Sequence, residues 1–137
     1  MKWKFISKRE EGISLLNSKN INKHKLGKWG EKKAKNYLES LEYKILEMNF
    51  TTKFGEIDII SLYNKILIFV EVKLRRCKNF GVPQSSVHQR KREKIKKIAK
   101  FYLHENSDYL KLKIRFDVIA ITIKNNKAYL KHFINAF

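Results

Sequence analysis

Two short stretches of this chain set acids inside strand-like apolar runs. Gly55-Glu56-Ile57-Asp58 carries two carboxylates at a spacing of two, and Glu71-Val72-Lys73 follows after twelve intervening residues. Ile57, Ile59, Ile60 and Leu62 surround the first stretch, and Ile66 to Val70 precede the second. Charged groups in such runs cost free energy unless something pairs with them. Strand side chains alternate faces, so Glu56 shares a face with Asp58, and Glu71 with Lys73. A hairpin in suitable register gathers three carboxylates and one ammonium at one place. Carboxylates are the hard oxygen donors that Mg²⁺ takes alongside water and phosphate oxygens. The chemistry such a group equips is metal-assisted attack of water on a phosphodiester.

Within that chemistry, Asp58 and Glu71 are the expected ligands of Mg²⁺ (or Mn²⁺), with the backbone carbonyl of Val72 as a third. Lys73 orients or helps deprotonate the attacking water, or offsets charge on the phosphate. Glu56 and Glu31 have three open roles: binding a second metal, holding a metal-bound water, or positioning Lys73. Glu-x-Lys alone is common, and it reads equally well as cross-strand pairs on a solvated face, each worth ~0.2–1 kcal/mol. The combination favours the metal site: acids recur at two-residue spacing in apolar strands, and the second pair ends in Lys. Arg75, Arg76 and Lys78 follow directly and are the expected phosphate contacts. Lys53, just before the acidic strand, is another.

The elements that must position these groups follow from periodicity. From Leu26 to Leu41 the apolar residues Leu26, Trp29, Ala34, Tyr37, Leu38 and Leu41 form one broad helical stripe at ~100° per residue. Glu31 lies at the border of that stripe and can reach a site on the sheet. Its bland alternative is an i,i+4 pair with Lys35. Tyr43 to Met48 reads as a short strand, and Phe54 to Leu62 and Ile66 to Lys73 as a hairpin split by Tyr63-Asn64-Lys65. Cys77 to Ser85 reads as a loop with Gly81 and Pro83. Ser86 to Gln89 matches a capping box that opens a helix to about Leu103, with Ile95, Ile98, Ala99 and Tyr102 inward. Strands at Lys113 to Ile123 and Ala128 to Phe133 follow, joined by Asn125-Asn126. This order predicts an α/β fold, a mixed β-sheet flanked by helices.

The whole chain is consistent with such a site. Its 137 residues make one domain, and 31 Lys and Arg against 13 Asp and Glu give a formal charge of +18. That balance suits a polyanionic partner, although a lysine-rich composition raises it without any binding role. One cysteine, Cys77, excludes an internal disulfide and a cysteine zinc cluster. No apolar run approaches the ~20 residues of a membrane span, and no signal-peptide pattern follows Met1 to Phe5. A cytoplasmic protein without a membrane is expected. Residues 1–24 read as a basic N-terminal extension, partly helical at most, and 25–137 as the nuclease-like domain. The four His residues show no metal spacing. Arg115 on the same face is the simple partner for Asp117. Tyr37, Phe69, Phe101, Tyr102 and Phe116 fit core positions.

Several motifs, in order, carry a family resemblance: Gly27-Lys28-Trp29-Gly30-Glu31, Gly55-Glu56-Ile57-Asp58 and Phe69-Val70-Glu71-Val72-Lys73. Phe80-Gly81, the helix with Lys91, Ile95, Ala99 and Tyr102-Leu103, Arg115-Phe116-Asp117-Val118 and Asn135-Ala136-Phe137 continue it. Over about residues 26 to 137 the chain resembles the YraN-like family of endonuclease-related proteins, which is similar in fold to restriction endonucleases and archaeal Holliday-junction resolvases. The resemblance implies a restriction-endonuclease-like mixed sheet with Glu31, Asp58, Glu71 and Lys73 as catalytic residues. Resolvase relatives act as dimers, so a homodimer is open. Glu42 stands where the family often has Gly, and Phe50-Thr51-Thr52 replaces a common Arg-bearing segment. Both changes are expected to lie clear of the acids. The expected function is nucleic-acid binding, DNA favoured over RNA, with metal-dependent endonuclease activity. The alternative is a non-catalytic binding module on a nuclease fold.

Overall fold

An apolar run with no polar alternation, such as Ile66–Val70, suits a strand covered on both faces. The structure, a computed structural model, describes residues 3–8, 23–76 and 87–137. In chain order these form β1 (Lys4–Lys8), α1 (Lys23–Ser40), β2 (Lys44–Thr52), β3 (Gly55–Tyr63), β4 (Ile66–Arg76), α2 (Gln89–Glu105), a 3-10 turn (Ser107–Tyr109), β5 (Lys113–Lys124) and β6 (Lys127–Phe133). One open mixed sheet has the order β1-β6-β5-β4-β3-β2. β4 is antiparallel to β3 and parallel to β5. A parallel pair needs a crossover connection, and α2 lies in it.

The core has two layers because β4 buries both faces. Leu67 and Phe69 pack with Ile60, Val118, Ile95, Ile98 and Tyr102 toward α2. Ile68 and Val70 pack with Ile59, Ile119, Ile121, Ala34 and Leu38 toward α1. Gly30 lets α1 approach closely: a Cβ there would stand 2.8 Å from Leu74 Cδ1. Two-residue turns close the hairpins at Asn64-Lys65 and Asn125-Asn126, all four residues at positive φ, the geometry that matches strand twist.

The expected order of helix, three strands, helix and two strands is present, with four local differences. β4 runs on to Arg76, because β5 keeps pairing with it up to Arg76↔Ile123. Residues 4–8, expected within a partly helical extension, form a strand antiparallel to β6, with a register shift between Phe5 and Ser7. A five-residue strand with a shift has no readable period. The capping box is replaced by an N-cap at His88 that makes no side-chain cap bond; Gln89 donates forward to Glu93 at 3.4 Å. Ser86 and the loop Cys77 to Ser85 lie outside the described residues. Phe101, expected in the core, is 40% exposed, because it lies one position off the Ile95–Ile98–Tyr102 stripe.

On the α1 face a buried ionic group ties the strands. Asp117 accepts from Arg115 Nε and Nη2 at 2.8 Å each and from the Asn135 N–H at 2.9 Å, and its Oδ2 lies 2.7 Å from His132 Nε2. Arg115 also donates to the Tyr43 hydroxyl at 2.9 Å. Burial alone would raise the Asp117 carboxyl, but its bonds to His132, Arg115 and the Asn135 N–H hold it below the ordinary range. The expected Arg115 partner is therefore one of several. Among the described residues, no helix is long and apolar enough to cross a membrane.

Candidate functional site

The hairpin sets the geometry of the site. β3 and β4 pair from Tyr63↔Ile66 to Ile59↔Val70. One step further Asp58 would face Glu71, and there the Val72 N–H donates to Asp58 Oδ2 at 2.8 Å. Val72 thus enters the site through its backbone. Burial pushes the Asp58 carboxyl up from the ordinary 3.8 to about 8; the charges of Glu71 and Glu31 add to the rise, while the Val72 N–H and Lys91 oppose it. A carboxyl so disfavoured as an anion holds its proton or takes a cation.

The second tier comes from α1 and β2. Carboxylate oxygens of Glu31, Glu56 and Asp58 lie within 4.8 Å of one another. Asn49 in β2 links two of them: its Nδ2 donates to Glu31 Oε2 at 2.8 Å and to Glu56 Oε1 at 3.1 Å. Lys28 Nζ donates to Asn49 Oδ1 at 2.8 Å. Asn49 has φ 53°, a left-handed conformation that Asn tolerates better than most residues. Glu31 engages Asn49 and Lys28, and Lys35 pairs with Glu39 instead. The Thr51 hydroxyl donates to Glu56 Oε2 at 3.2 Å, so the Phe50-Thr51-Thr52 departure does reach the acids.

Glu71 is buried, its side chain 6% exposed, and it forms an ion pair with Lys91 of α2. Lys73 follows on β4. Burial lowers its ammonium; Glu71 opposes this, and Lys91, Arg75 and Arg92 add to it. Three clefts converge here. One, under α2, is lined by Asp58, Glu71, His88, Arg90, Lys91 and Lys94 among others. The next, beside the start of α1, includes Glu31, Asp58, Glu71, Arg75, Arg76 and Lys91. A third includes Glu71, Lys73, Arg75 and Lys91.

The structure therefore groups Glu31, Glu56 and Asp58, sets Glu71 in the same cleft as Glu31 and Asp58 with Arg75 and Arg76 on its wall, and places Lys73 beside Glu71 in the adjoining cleft. Lys53 sits in the β2–β3 turn, 5.2 Å from the Phe54 ring centroid, and Phe54 lines the cleft under α2. Lys78 lies outside the described residues. Sequence reasoning assigned no role in the site to Asn49, Lys28 or Lys91. Lys91 did carry a signal: it stands four residues before Ile95, on the inward stripe of α2. The donor set is all hard oxygen, and it surrounds a carboxyl that disfavours its own charge. Such a set fits Mg²⁺ or Mn²⁺ rather than a thiolate-seeking metal.

Comparison with known proteins places the chain. Residues 30–121, which hold every acid above together with Lys73 and Lys91, match the model of "Uncharacterised protein family UPF0102". A UPF0102 protein of Caldanaerobacter subterraneus subsp. tengcongensis is 44% identical over 122 residues, 87% of this chain and 99% of the relative. One of Thermodesulfovibrio yellowstonii is 46% identical over 113 residues, 82% of this chain and 95% of the relative. One of Geobacter sulfurreducens is 45% identical over 113 residues, 82% and 88% respectively. The chain belongs to the UPF0102 family, the YraN-like family that its motifs resemble.

Proposed function

We propose that this protein is a nucleic-acid-binding, metal-dependent endonuclease with a restriction-endonuclease-like arrangement of its sheet. The observation that carries the reading is Asp58. It is a half-buried carboxyl raised to about 8 by desolvation and its acidic neighbours, on the antiparallel neighbour of the strand that bears Glu71 and Lys73. Groups with pKa values perturbed in this way cluster at functional sites.

A bound Mg²⁺ or Mn²⁺ would supply Lewis-acid polarisation of the phosphate and an activated water. Asp58, Glu71 and the Val72 carbonyl would hold it. Asn49 keeps Glu31 and Glu56 together beside Asp58, where they would add carboxylate oxygens to the metal's surroundings. Lys73, its ammonium weakened chiefly by burial, is suited to take a proton from the attacking water or to contact the scissile phosphate. Arg75, Arg76, Arg90 and Lys94 offer cations for flanking phosphates. Mostly electrostatic stabilisation of the phosphoryl charge would supply the rate. DNA is the favoured substrate. The cytoplasm and, for a resolvase-like cutter, a homodimer are the accompanying expectations.

One observation favours the rival, a binding module without turnover: Glu71 already has a cation partner within the chain. Cleavage decides between them. A labelled panel of linear duplex, single-stranded and four-way-junction DNA plus RNA is incubated with Mg²⁺, Mn²⁺ or EDTA. Asp58→Ala and Lys73→Ala should each lower metal-dependent cutting by about 10²-fold or more while nucleic-acid binding persists. Cutting that survives both substitutions removes the assigned site. Tight binding without cutting, indifferent to Asp58→Ala, establishes the binding module.

A further inference from the structure

We infer that Lys91 is a displaceable counter-ion that couples divalent-metal binding to phosphate binding at this site. The inference rests on the metal reading above and adds a mechanism of coupling to it.

The argument starts from burial. Glu71 is 6% exposed at its side chain and Lys91 is 52% exposed. A buried carboxylate without a cation is costly, so removing Lys91 from Glu71 is favourable only when another cation replaces it. Glu71 is also a donor that a divalent metal would use beside Asp58. An ammonium and a divalent ion at the same carboxylate repel each other strongly in a partly dry site. The two cations therefore compete for Glu71.

Lys91 is built to leave. Its ammonium hangs on a half-exposed flexible stem, whereas Ile95, one turn further on, is buried and holds the helix. The Glu71–Lys91 pair already lines the cleft under α2 together with His88, Arg90 and Lys94, so the ammonium can turn from Glu71 to a ligand in that cleft without leaving it. The first turn of α2 has no acidic residue, and Glu93 is engaged by Gln89. Cations at the positive end of a helix are unfavourable unless an anion arrives. A phosphate in this cleft gives Lys91 a new partner and frees Glu71 for the metal. By linkage, the metal releases Lys91 for the phosphate to the same degree. Metal and phosphate then bind more tightly together than apart.

Mn²⁺ binding is the readout, measured calorimetrically on the full chain with and without a non-hydrolysable phosphorothioate oligonucleotide. Three proteins are compared: wild type, Lys91→Met and Asp58→Asn. Met keeps most of the stem and removes the charge. Expected are wild-type Mn²⁺ affinity that rises roughly 5-fold or more with the oligonucleotide, and Lys91→Met affinity that is already raised without it and changes little on adding it. Lys91→Met binding Mn²⁺ no tighter than wild type, or keeping the full oligonucleotide effect, overturns the inference. In that case Mn²⁺ binding lost in Asp58→Asn leaves the metal site itself standing. No Mn²⁺ bound by wild type or Lys91→Met overturns the metal reading and this inference with it. Should Lys91→Met unfold in EDTA, folding restored by Mn²⁺ supports the exchange, and a variant that Mn²⁺ does not restore overturns it.

Discussion

A carboxyl whose surroundings disfavour its charge ties the stability of the fold to pH. Asp58 lies above its ordinary 3.8, at about 8, chiefly through burial. A group raised in the folded state contributes stability that is fully present below the unfolded value and lost as pH rises through the folded one. Between about pH 4 and 8 the metal-free protein should therefore lose stability relative to Asp58→Asn, by up to ~1.4 kcal/mol per pH unit. Melting temperatures of both proteins in EDTA at pH 5 and pH 9 test this; a difference that does not change with pH contradicts the environment assigned to Asp58. The acids were legible in the sequence because a charge inside an apolar strand needs a reason. Lys91 and Asn49 were less so. Lys91 is one of many cations on α2, and only its place on the inward stripe sets it apart. Asn49 looks like an ordinary polar strand residue, and its link between Glu31 and Glu56 depends on a backbone turn that no spacing rule signals.

Elements were legible where their period was long. α1, β3, β4, α2 and β5 each follow an apolar pattern, and their ends moved by only a few residues. β1 was missed because five residues with a register shift carry no period, and the capping motif misled because the helix starts after His88. Glu42 shows how a sequence departure acquires a physical meaning. It follows α1 and Leu41 at φ 67°, and its N–H donates to the Glu39 carbonyl at 3.0 Å while Tyr43 N–H returns to Leu38. A left-handed residue closing a helix is the place for glycine. Glu42→Gly should therefore stabilise the protein by about 1 kcal/mol, read as a raised denaturation midpoint at unchanged slope. A loss of stability would show that the Glu42 side chain contributes more than its backbone costs.

At the scale of the molecule, the charge of +18 matters through salt. Engaging roughly five phosphates, at a slope near −0.9 per contact, weakens binding by about 10²–10³-fold between 50 and 200 mM salt. Affinity that ignores salt would set the basic surface apart from any nucleic-acid role. Asp58→Asn should leave the slope unchanged, because the slope counts phosphate contacts. The mixed sheet has a further consequence, for the order in which the site assembles. β3 and β4 join through a two-residue turn, so their pairing closes a very short loop. β4 and β5 are parallel and meet only after the chain has passed through the whole of α2 and its connections, a far longer closure. Asp58 and Glu71 therefore come face to face early, while Lys91 arrives with the late crossover. In the interval the two acids have only the hairpin's own Val72 N–H and Lys73 beside them, so on the metal reading proposed above a divalent ion present during refolding should speed the step that pairs these strands, read as a faster refolding rate in Mg²⁺ than in EDTA.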